Sequence, residues 1–477
     1  MRARALRRLG GVSSSAGPNP YTIRPSSADS TDQPAALREI EAELAKRWPE
    51  NKIEPTLARI NALMDILGQP QRSYPAIHIT GTNGKTSTAR MVEQLLGAFE
   101  LRTGRYTSPH VESVTERISL DGQPISVEKF VSTYQDIEPY IRMVDEQQPI
   151  ALSFFEVLTG MAYAAFADAP IDVAVVEVGM GGSWDATNVI DAAVSVITPI
   201  SLDHTDRLGS TTGAIGKEKA GIIKQGAVAV VSQQPLDAAQ SILQRAVEVD
   251  ATVAREGMEF GVLHREVAVG GQLVTLRGLG GAEYADLFIP LHGEHQAHNA
   301  AVALCAVEAF FGIGGAREGS LDIDKVRQAF SGVSSPGRLE VVRRSPTIVL
   351  DAAHNPAGAQ VTAAAIGESF GFTRLIGVIA ASGDKDVTGL LEAFEPVLAE
   401  VVVTENSTHR AMPVDRLAAQ AVEVFGEDRV VVEPRLDDAI EAAVTLAEEE
   451  GDLGGAGVLI TGSVITVGEA RLLLGRK

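Results

Sequence analysis

Two α/β domains, each built on a mostly parallel sheet, are what this sequence predicts, the first carrying a phosphate-binding loop. Three observations lead there. Short buried-strand runs alternate with helical periodicity along most of the chain. A glycine-rich stretch, Thr80-Gly81-Thr82-Asn83-Gly84-Lys85-Thr86-Ser87, lies between an apolar run and a helical pattern. A Ser-Ser-Pro-Gly break at 334–337 is followed by a restart of the same alternation. With 477 residues the chain has room for two or three domains of about 150 residues.

The first 28 residues hold five arginines and no acidic residue before Asp29. That composition suits an organelle transit peptide. Its Pro, Ser and Gly content leaves little to bury, however, so residues 1–33 are expected to be a disordered extension. Structure should begin near Pro34. Leu37, Ile40 and Leu44, then Leu57, Ile60, Met64 and Leu67, recur at helical spacing, with Gly68 and Pro70 as stop signals. Ala76-Ile77-His78-Ile79 reads as the strand into the loop, and Met91, Leu95 and Leu96 as the helix out of it. Residues 172–178, 194–200 and 227–232 read as further parallel strands. Between 252 and 291, short alternating segments broken by glycines predict a small antiparallel patch. A helix over 297–311 follows and carries the lone cysteine, Cys305, which reads as a buried structural thiol. Beyond the break, strands are expected at 347–352, 375–380, 401–404, 430–433 and 458–461, with helices between them. The division is therefore 34–335, an ATP-binding domain, and 336–477, a second α/β domain lacking a phosphate loop. The chemistry is expected in the cleft between them.

The chain has 62 acidic against 41 basic residues, a formal charge of −21, which argues against nucleic acid as a partner. No apolar run approaches the roughly eighteen residues that a membrane helix needs. A soluble, cytoplasmic protein is expected, with organellar import as the alternative. In the loop, glycines let backbone N–H groups turn inward at a helix N-terminus, where the dipole favours anions. Lys85 can reach the β- and γ-phosphates of ATP, and the hydroxyl of Thr86 or Ser87 can ligate Mg²⁺. Only two residues separate Gly81 from Gly84, against four between the first glycine and the Gly-Lys pair of the general P-loop. Other polar groups stand at strand ends, where open α/β sheets bind ligands. Glu177 precedes Gly179, Gly181 and Gly182; Asp203-His204 follows the strand at 194–200; Ser108 and His110 lie in Thr107-Ser108-Pro109-His110. Singly, each is more often a satisfied hydrogen-bonding residue. Together, a carboxylate, an imidazole and a hydroxyl can hold a divalent ion between phosphates. Lys217-Glu218-Lys219-Ala220-Gly221 reads, by itself, as a charged helix surface.

Ten stretches now fall into one order: 80–87, YTSPHVESVTERI (106–118), SFFEVLTGMAYAAF (153–166), VVEVGMGGSWDATN (175–188), LDHTDRLG (202–209), GKEKAGIIK (216–224), HNAAVAL (298–304), PGRLE (336–340), DAAHNP (351–356) and HRA (409–411). In these the chain resembles the folylpolyglutamate synthases of the Mur ligase superfamily, which in bacteria often also act as dihydrofolate synthases. The resemblance implies ATP-dependent ligation of L-glutamate to a folate or dihydropteroate carboxylate through an acyl phosphate. It also implies two Mg²⁺ ions, a monovalent cation and a monomer. Carried over by position, Ser108 and Glu177 would bind one Mg²⁺ beside Thr86. Glu177, His204 and a carbamylated Lys219 would serve the second, because a carbamate turns an ammonium into a carboxylate-like ligand. Lys85, Lys219, His204 and His354 make up the implied catalytic set. Residues 81–87, Asn299, Arg338 and Asp351 are implied on ATP. Phe154, Phe155, Glu156 and Asp185 are implied at the pterin end, and His354, Ser407, His409 and Arg410 at the incoming glutamate.

One departure stands out. The family usually has arginine where this chain has Ser183, which puts folate-end affinity or loop order in question. Two rival readings remain. A peptidoglycan-precursor ligase would share the loop and the mechanism, but it needs a separate domain for its sugar nucleotide ahead of the loop. A catalytically impaired ATP-binding regulator would follow if Ser183 marks decay; the intact Lys85, Glu177, His204, Lys219 and His354 argue against it.

Overall fold

The computed structural model describes residues 34–49, 54–315, 318–448 and 455–475; the extension expected over 1–33 lies outside them. Eight strands form the first sheet: β1 (Ala76–Thr80), β2 (Thr103–Tyr106), β3 (Ile118–Leu120), β4 (Gln123–Pro124), β5 (Val173–Glu177), β6 (Val194–Ile197), β7 (Val228–Val231) and β8 (Thr252–Arg255). Their order is β4-β3-β2-β5-β1-β6-β7-β8. From β2 to β8 in that order every pairing is parallel, and β3 and β4 add an antiparallel edge. The central strands β1, β5 and β6 are buried throughout, as a sheet covered by helices on both faces requires.

Alternation along β1 decides what lies on each side. Ile77 and Ile79 enter a core with the helices Lys85–Ala98 and Glu294–Phe310. Ala76, one residue out of phase, packs towards the helices Val127–Gln147 and Phe154–Asp168. With a period of two, His78 and Thr80 share the face of Ala76.

The predicted antiparallel patch is present as β9 (Gly261–Ala268), β10 (Gly271–Arg277) and β11 (Glu283–Ile289). Its expected beginning is corrected: residues 252–255 pair in parallel with β7 and close the large sheet as β8. The second sheet holds β12 (Glu340–Arg344), β13 (Thr347–Leu350), β14 (Arg374–Ile379), β15 (Glu400–Val403), β16 (Val430–Val432) and β17 (Ala456–Thr461), in the order β12-β13-β17-β14-β15-β16. Only β12 runs antiparallel. This edge strand reads poorly in the sequence because Glu340, Arg343 and Arg344 break its apolar pattern, as charged residues on sheet edges commonly do. Segments leaving β1, β5 and β6 in one sheet and β13 and β14 in the other face each other across one cleft.

Candidate active site

That cleft has a volume of about 810 Å³ and is lined from both sheets. The chain leaves β1 through Gly81 (φ 151°) and Gly84 (φ 87°). A Cβ at Gly81 would stand 1.8 Å from Thr198 Oγ1, and one at Gly84 2.6 Å from Asn299 Oδ1. Both positions therefore need glycine for conformation and for space. The loop is tied to the segment after β6: the Thr82 amide donates to Pro199 O at 3.0 Å, and Thr198 Oγ1 donates to Asn83 O at 2.7 Å. Lys85 Nζ donates to Gly81 O and Thr82 O, each at 3.2 Å, so the ammonium lies across the mouth of its own loop. Burial lowers its pKa, and Glu177 and Asp203 oppose that shift.

Thr86 Oγ1 donates to both Glu177 oxygens at 2.9 and 3.0 Å. Ser87 Oγ instead meets Ser335 Oγ at 3.1 Å. Of the two hydroxyls the loop offers, Thr86 is the one beside the carboxylate. Ser108 also lines the cleft, and its backbone donates toward Glu177, whose pKa burial raises. Mg²⁺ takes few protein ligands and completes its shell with phosphate and water. A hydroxyl, a buried carboxylate and Ser108 fit one such ion. The second set is different. Among the described residues no group of three His, Cys, Asp or Glu side chains is arranged for a metal. Lys219, 4 % exposed, donates to Gly81 O at 2.8 Å, and His204 Nε2 lies 3.1 Å from Lys385 Nζ. An unmodified ammonium at Lys219 does not suit a cation. Burial, with Lys85 nearby, pushes the Lys219 pKa down to about 7, so a neutral amine is accessible near neutrality.

Opposite the loop stands a cluster that bridges the sheets. Asp203 accepts from Lys385 Nζ at 2.6 Å and from Asn355 Nδ2 at 3.2 Å, with His354 Nε2 at 3.8 Å. Burial opposes ionisation of Asp203, but Lys385, His204 and His354 hold it well below the usual carboxylate range. His354 Nδ1 lies 3.0 Å from the Ala352 carbonyl and so carries the proton, leaving Nε2 unprotonated. Burial and Lys385 push the pKa of both His354 and His204 down to about 4. His204 itself occupies a left-handed conformation (φ 49°) at the start of the helix Thr205–Leu208.

Asn299 and Arg338 line the cleft. Asp351 does too, yet its carboxylate is committed to the Leu339 and Ala353 amides and Thr362 Oγ1; it braces the segment after the 334–337 break. At the far end, Phe155, Glu156 and Asp185 line the wall with Trp184 and Arg59. Glu156 caps its own helix through the Ser153 amide at 2.8 Å and pairs with Arg59 Nε at 3.0 Å.

Three expected ligand contacts are corrected by position. Phe154 turns into the neighbouring core beneath the Arg117 guanidinium, 5.1 Å from its ring centroid, because the next helical residue, Phe155, takes the cleft side. Ser407 is drawn away by Glu469, which accepts from its amide and hydroxyl, and His409 is exposed outside the lining. Arg410 lines the cleft and pairs with Asp384 at 2.5 Å. Ser183 also stays outside the lining: its hydroxyl and amide hold the Glu218 carboxylate at 2.6 and 2.9 Å. Lys385, Arg59 and Trp184 were not anticipated. For Lys385 the signal was there, a Ser-Gly-Asp-Lys turn that follows β14 after Ala380 and Ala381.

The Mur ligase middle domain family matches residues 79–307, and the glutamate ligase domain of Mur ligases matches 337–464. A dihydrofolate synthase/folylpolyglutamate synthase of Mycobacterium tuberculosis is 54% identical over 93% of this chain and 95% of its own length. Crystal structures of a folylpolyglutamate synthase from that organism with ADP and AMPPCP superpose with a TM-score of 0.88 at 54% identity, over 93% of this chain and 99% of theirs. A folylpolyglutamate synthase complex with AMPPCP and folate superposes with a TM-score of 0.79 at 29% identity, over 92% of this chain and 100% of the other.

Proposed function

The chain belongs to the folylpolyglutamate and dihydrofolate synthases of the Mur ligase family and ligates glutamate to a folate with ATP; from that premise we propose how its own residues divide the work. The carrying observation is the convergence on one cleft of Lys85, Thr86 and Glu177 from the first sheet with His354 and Lys385 from the second.

A carboxylate is a poor acyl donor, being anionic and lacking a leaving group. One of its oxygens attacks the γ-phosphorus of ATP, ADP leaves, and an acyl phosphate forms. The glutamate amine then attacks the acyl carbon, sheds a proton, and inorganic phosphate departs. Lys85 is positioned to offset charge on the transferring phosphoryl group. Magnesium held by Thr86, Ser108 and Glu177 would supply further neutralisation of phosphate charge. His354 Nε2, unprotonated and beside the Asp203–Lys385 pair, is suited to receive the amine proton. We assign Gly81–Ser87, Asn299 and Arg338 to ATP; Phe155, Glu156 and Asp185 to the pterin end; and Arg410 with His354 to the incoming glutamate. A carbamate on Lys219 is part of this reading, supported by the depressed pKa and by the unsuitability of an ammonium there. The division into 34–335 and 336–477, a monovalent cation, a monomeric state and a cytoplasmic setting complete it.

The test is a ligation assay with dihydropteroate and with tetrahydrofolate, each with labelled glutamate and ATP. Both acceptors should be extended, with transfer of carboxylate oxygen into inorganic phosphate. Lys85→Ala should abolish both signals without loss of fold. Ligation by that variant at the parent rate would overturn the assignment.

A further inference from the structure

Asp185 is held by a chain of hydrogen bonds that runs back into the sheet. Its Oδ2 accepts from the Met180 amide at 2.9 Å, and its Oδ1 accepts from the Thr187 amide at 3.0 Å and the Thr187 hydroxyl at 2.5 Å. Thr187 Oγ1 in turn lies 2.9 Å from Nε2 of His78, which is fully buried on β1. The direction of these bonds follows from the inventory of protons. A carboxylate accepts only, so the single hydroxyl proton of Thr187 goes to Asp185. The hydroxyl oxygen must then accept from His78, which places the imidazole proton on Nε2. Nδ1 is the bare nitrogen, and it is among the buried atoms with no hydrogen-bond partner. Burial, with Lys224 nearby, pushes the His78 pKa down to about 3, consistent with a neutral ring of one tautomer.

Two residues along β1, Thr80 Oγ1 donates to Gly181 O at 2.7 Å. The strand that delivers the phosphate loop thus grips the 179–190 segment at two points, Gly181 and Thr187. We propose that His78 is a positioning residue for the folate end of the cleft, aiming the Asp185 carboxylate through Thr187. This rests on the assignment of Asp185 to the folate, and it makes β1 the shared support of both substrate sites. A histidine inside an apolar strand has no ligand of its own to contact here. Its task is to keep the Thr187 hydroxyl pointed at Asp185, so that the carboxylate meets a ligand N–H pair already oriented.

The experiment compares KM for folate and for ATP across five single variants and one double variant and follows folate binding by Trp184 fluorescence in a Trp48→Phe background. Asp185→Asn tests the underlying assignment; an unchanged folate KM there would sink that reading by itself. With Asp185→Asn impaired, Thr187→Val, which keeps the shape and removes the hydroxyl, should raise folate KM and weaken binding by about tenfold, the scale of a lost hydrogen bond to a charged group. ATP KM should stay within about twofold of the parent over the same series. His78→Leu should match Thr187→Val, and combining the two should add little, since both break one chain. His78→Gln, whose amide nitrogen can stand where Nε2 does, and Thr187→Ser should recover most of the loss. If His78→Leu fails to fold, the Thr187→Val and Thr187→Ser pair still decides. Parent-like folate KM in Thr187→Val, equal rises in the ATP and folate KM, or no recovery in His78→Gln and Thr187→Ser would each overturn the proposal.

Discussion

Lys219 and Lys217 lie two residues apart on one short helix, yet one is buried against the phosphate loop and the other is exposed. Helical geometry puts residues two apart on different faces, and only the face towards Gly81 is dehydrated. The consequence is chemical. With its pKa near 7, Lys219 has an appreciable neutral fraction at physiological pH and can take up carbon dioxide, whereas Lys217 faces solvent away from the phosphate loop. Lys219→Ala should therefore lose most activity and regain part of it with added short carboxylates, which can occupy the vacated position. Lys217→Ala should behave as the parent. Steady-state assays with and without acetate or propionate check this, and absence of any rescue together with full activity in bicarbonate-free buffer would remove the carbamate from the mechanism.

At the scale of elements, two glycine-bearing loops do different work. The phosphate loop is over-determined: Gly81 sits against Thr198, leaving no room for a Cβ, while the amides of Thr82 and Asn83 are pinned to Pro199. Gly81→Ala should displace the loop and raise ATP KM by at least about tenfold, with folate KM less affected. Nucleotide titration would show it, and an unchanged ATP KM would mean that the loop tolerates the shift. The 179–190 loop is held instead by side chains: Thr80 at Gly181, Asp185 at Met180 and Thr187, Glu218 at Ser183. Because Ser183 faces Glu218 and not the cleft, Ser183→Arg should form an exposed ion pair of about 0–1 kcal/mol. It should leave folate KM within about twofold of the parent. A rise or fall of fivefold or more in direct KM measurements would show that the guanidinium reaches the substrate.

Across the whole molecule, the parts of the chain before and after the 334–337 break meet through charged and polar pairs. Lys385 bonds Asp203, Asn355 bonds Asn83 and Asp203, Arg265 pairs with Glu368, and Arg471 reaches Glu112. A nearly buried carboxylate stripped of its cation is far costlier than an exposed pair. Lys385→Met should accordingly cut turnover by about tenfold or more and loosen the docking of the two sheets, visible as faster proteolysis between 331 and 340. Unaltered turnover and proteolysis would deny the pair a role.

Acid should weaken the fold as a whole. His78 is depressed to about 3, and His204, His354 and the cleft-lining His295 to about 4, from 6.5. Between 6.5 and about 4 the unfolded chain binds protons that the folded one refuses, so stability falls as pH falls through that window. Asp185, raised from 3.8 to about 6, acts in the opposite sense, as do Glu177 and Asp351, which burial also raises, while Asp203, held low against its burial by Lys385, sides with the histidines. Denaturation midpoints in urea should decline from pH 7 to 5; a flat profile would contradict the sign.

Much of this was legible in the residues. Apolar runs and glycine punctuation placed the central strands of both sheets, because a buried parallel strand needs uninterrupted apolar side chains on both faces. The spacing of Gly81, Gly84, Lys85 and Thr86 marked the phosphate loop, since that chemistry needs those residue types in one local segment. Edge strands such as β12 and the sharing-out of residues 252–255 were not legible, for an edge's partners are chosen by distant chain. Nor was the choice of Phe155 over Phe154 on the cleft, while Thr86 over Ser87 and Lys219 over Lys217 were singled out by the family resemblance and not by local pattern, since neighbours of the same type look alike until packing orients them. Local sequence carries the chemistry of a side chain. Which way it faces, what desolvates it, and whether a lysine 182 residues away (Asp203 to Lys385) lands 2.6 Å from a carboxylate are decided by packing, where free energy depends on contacts far apart in the chain.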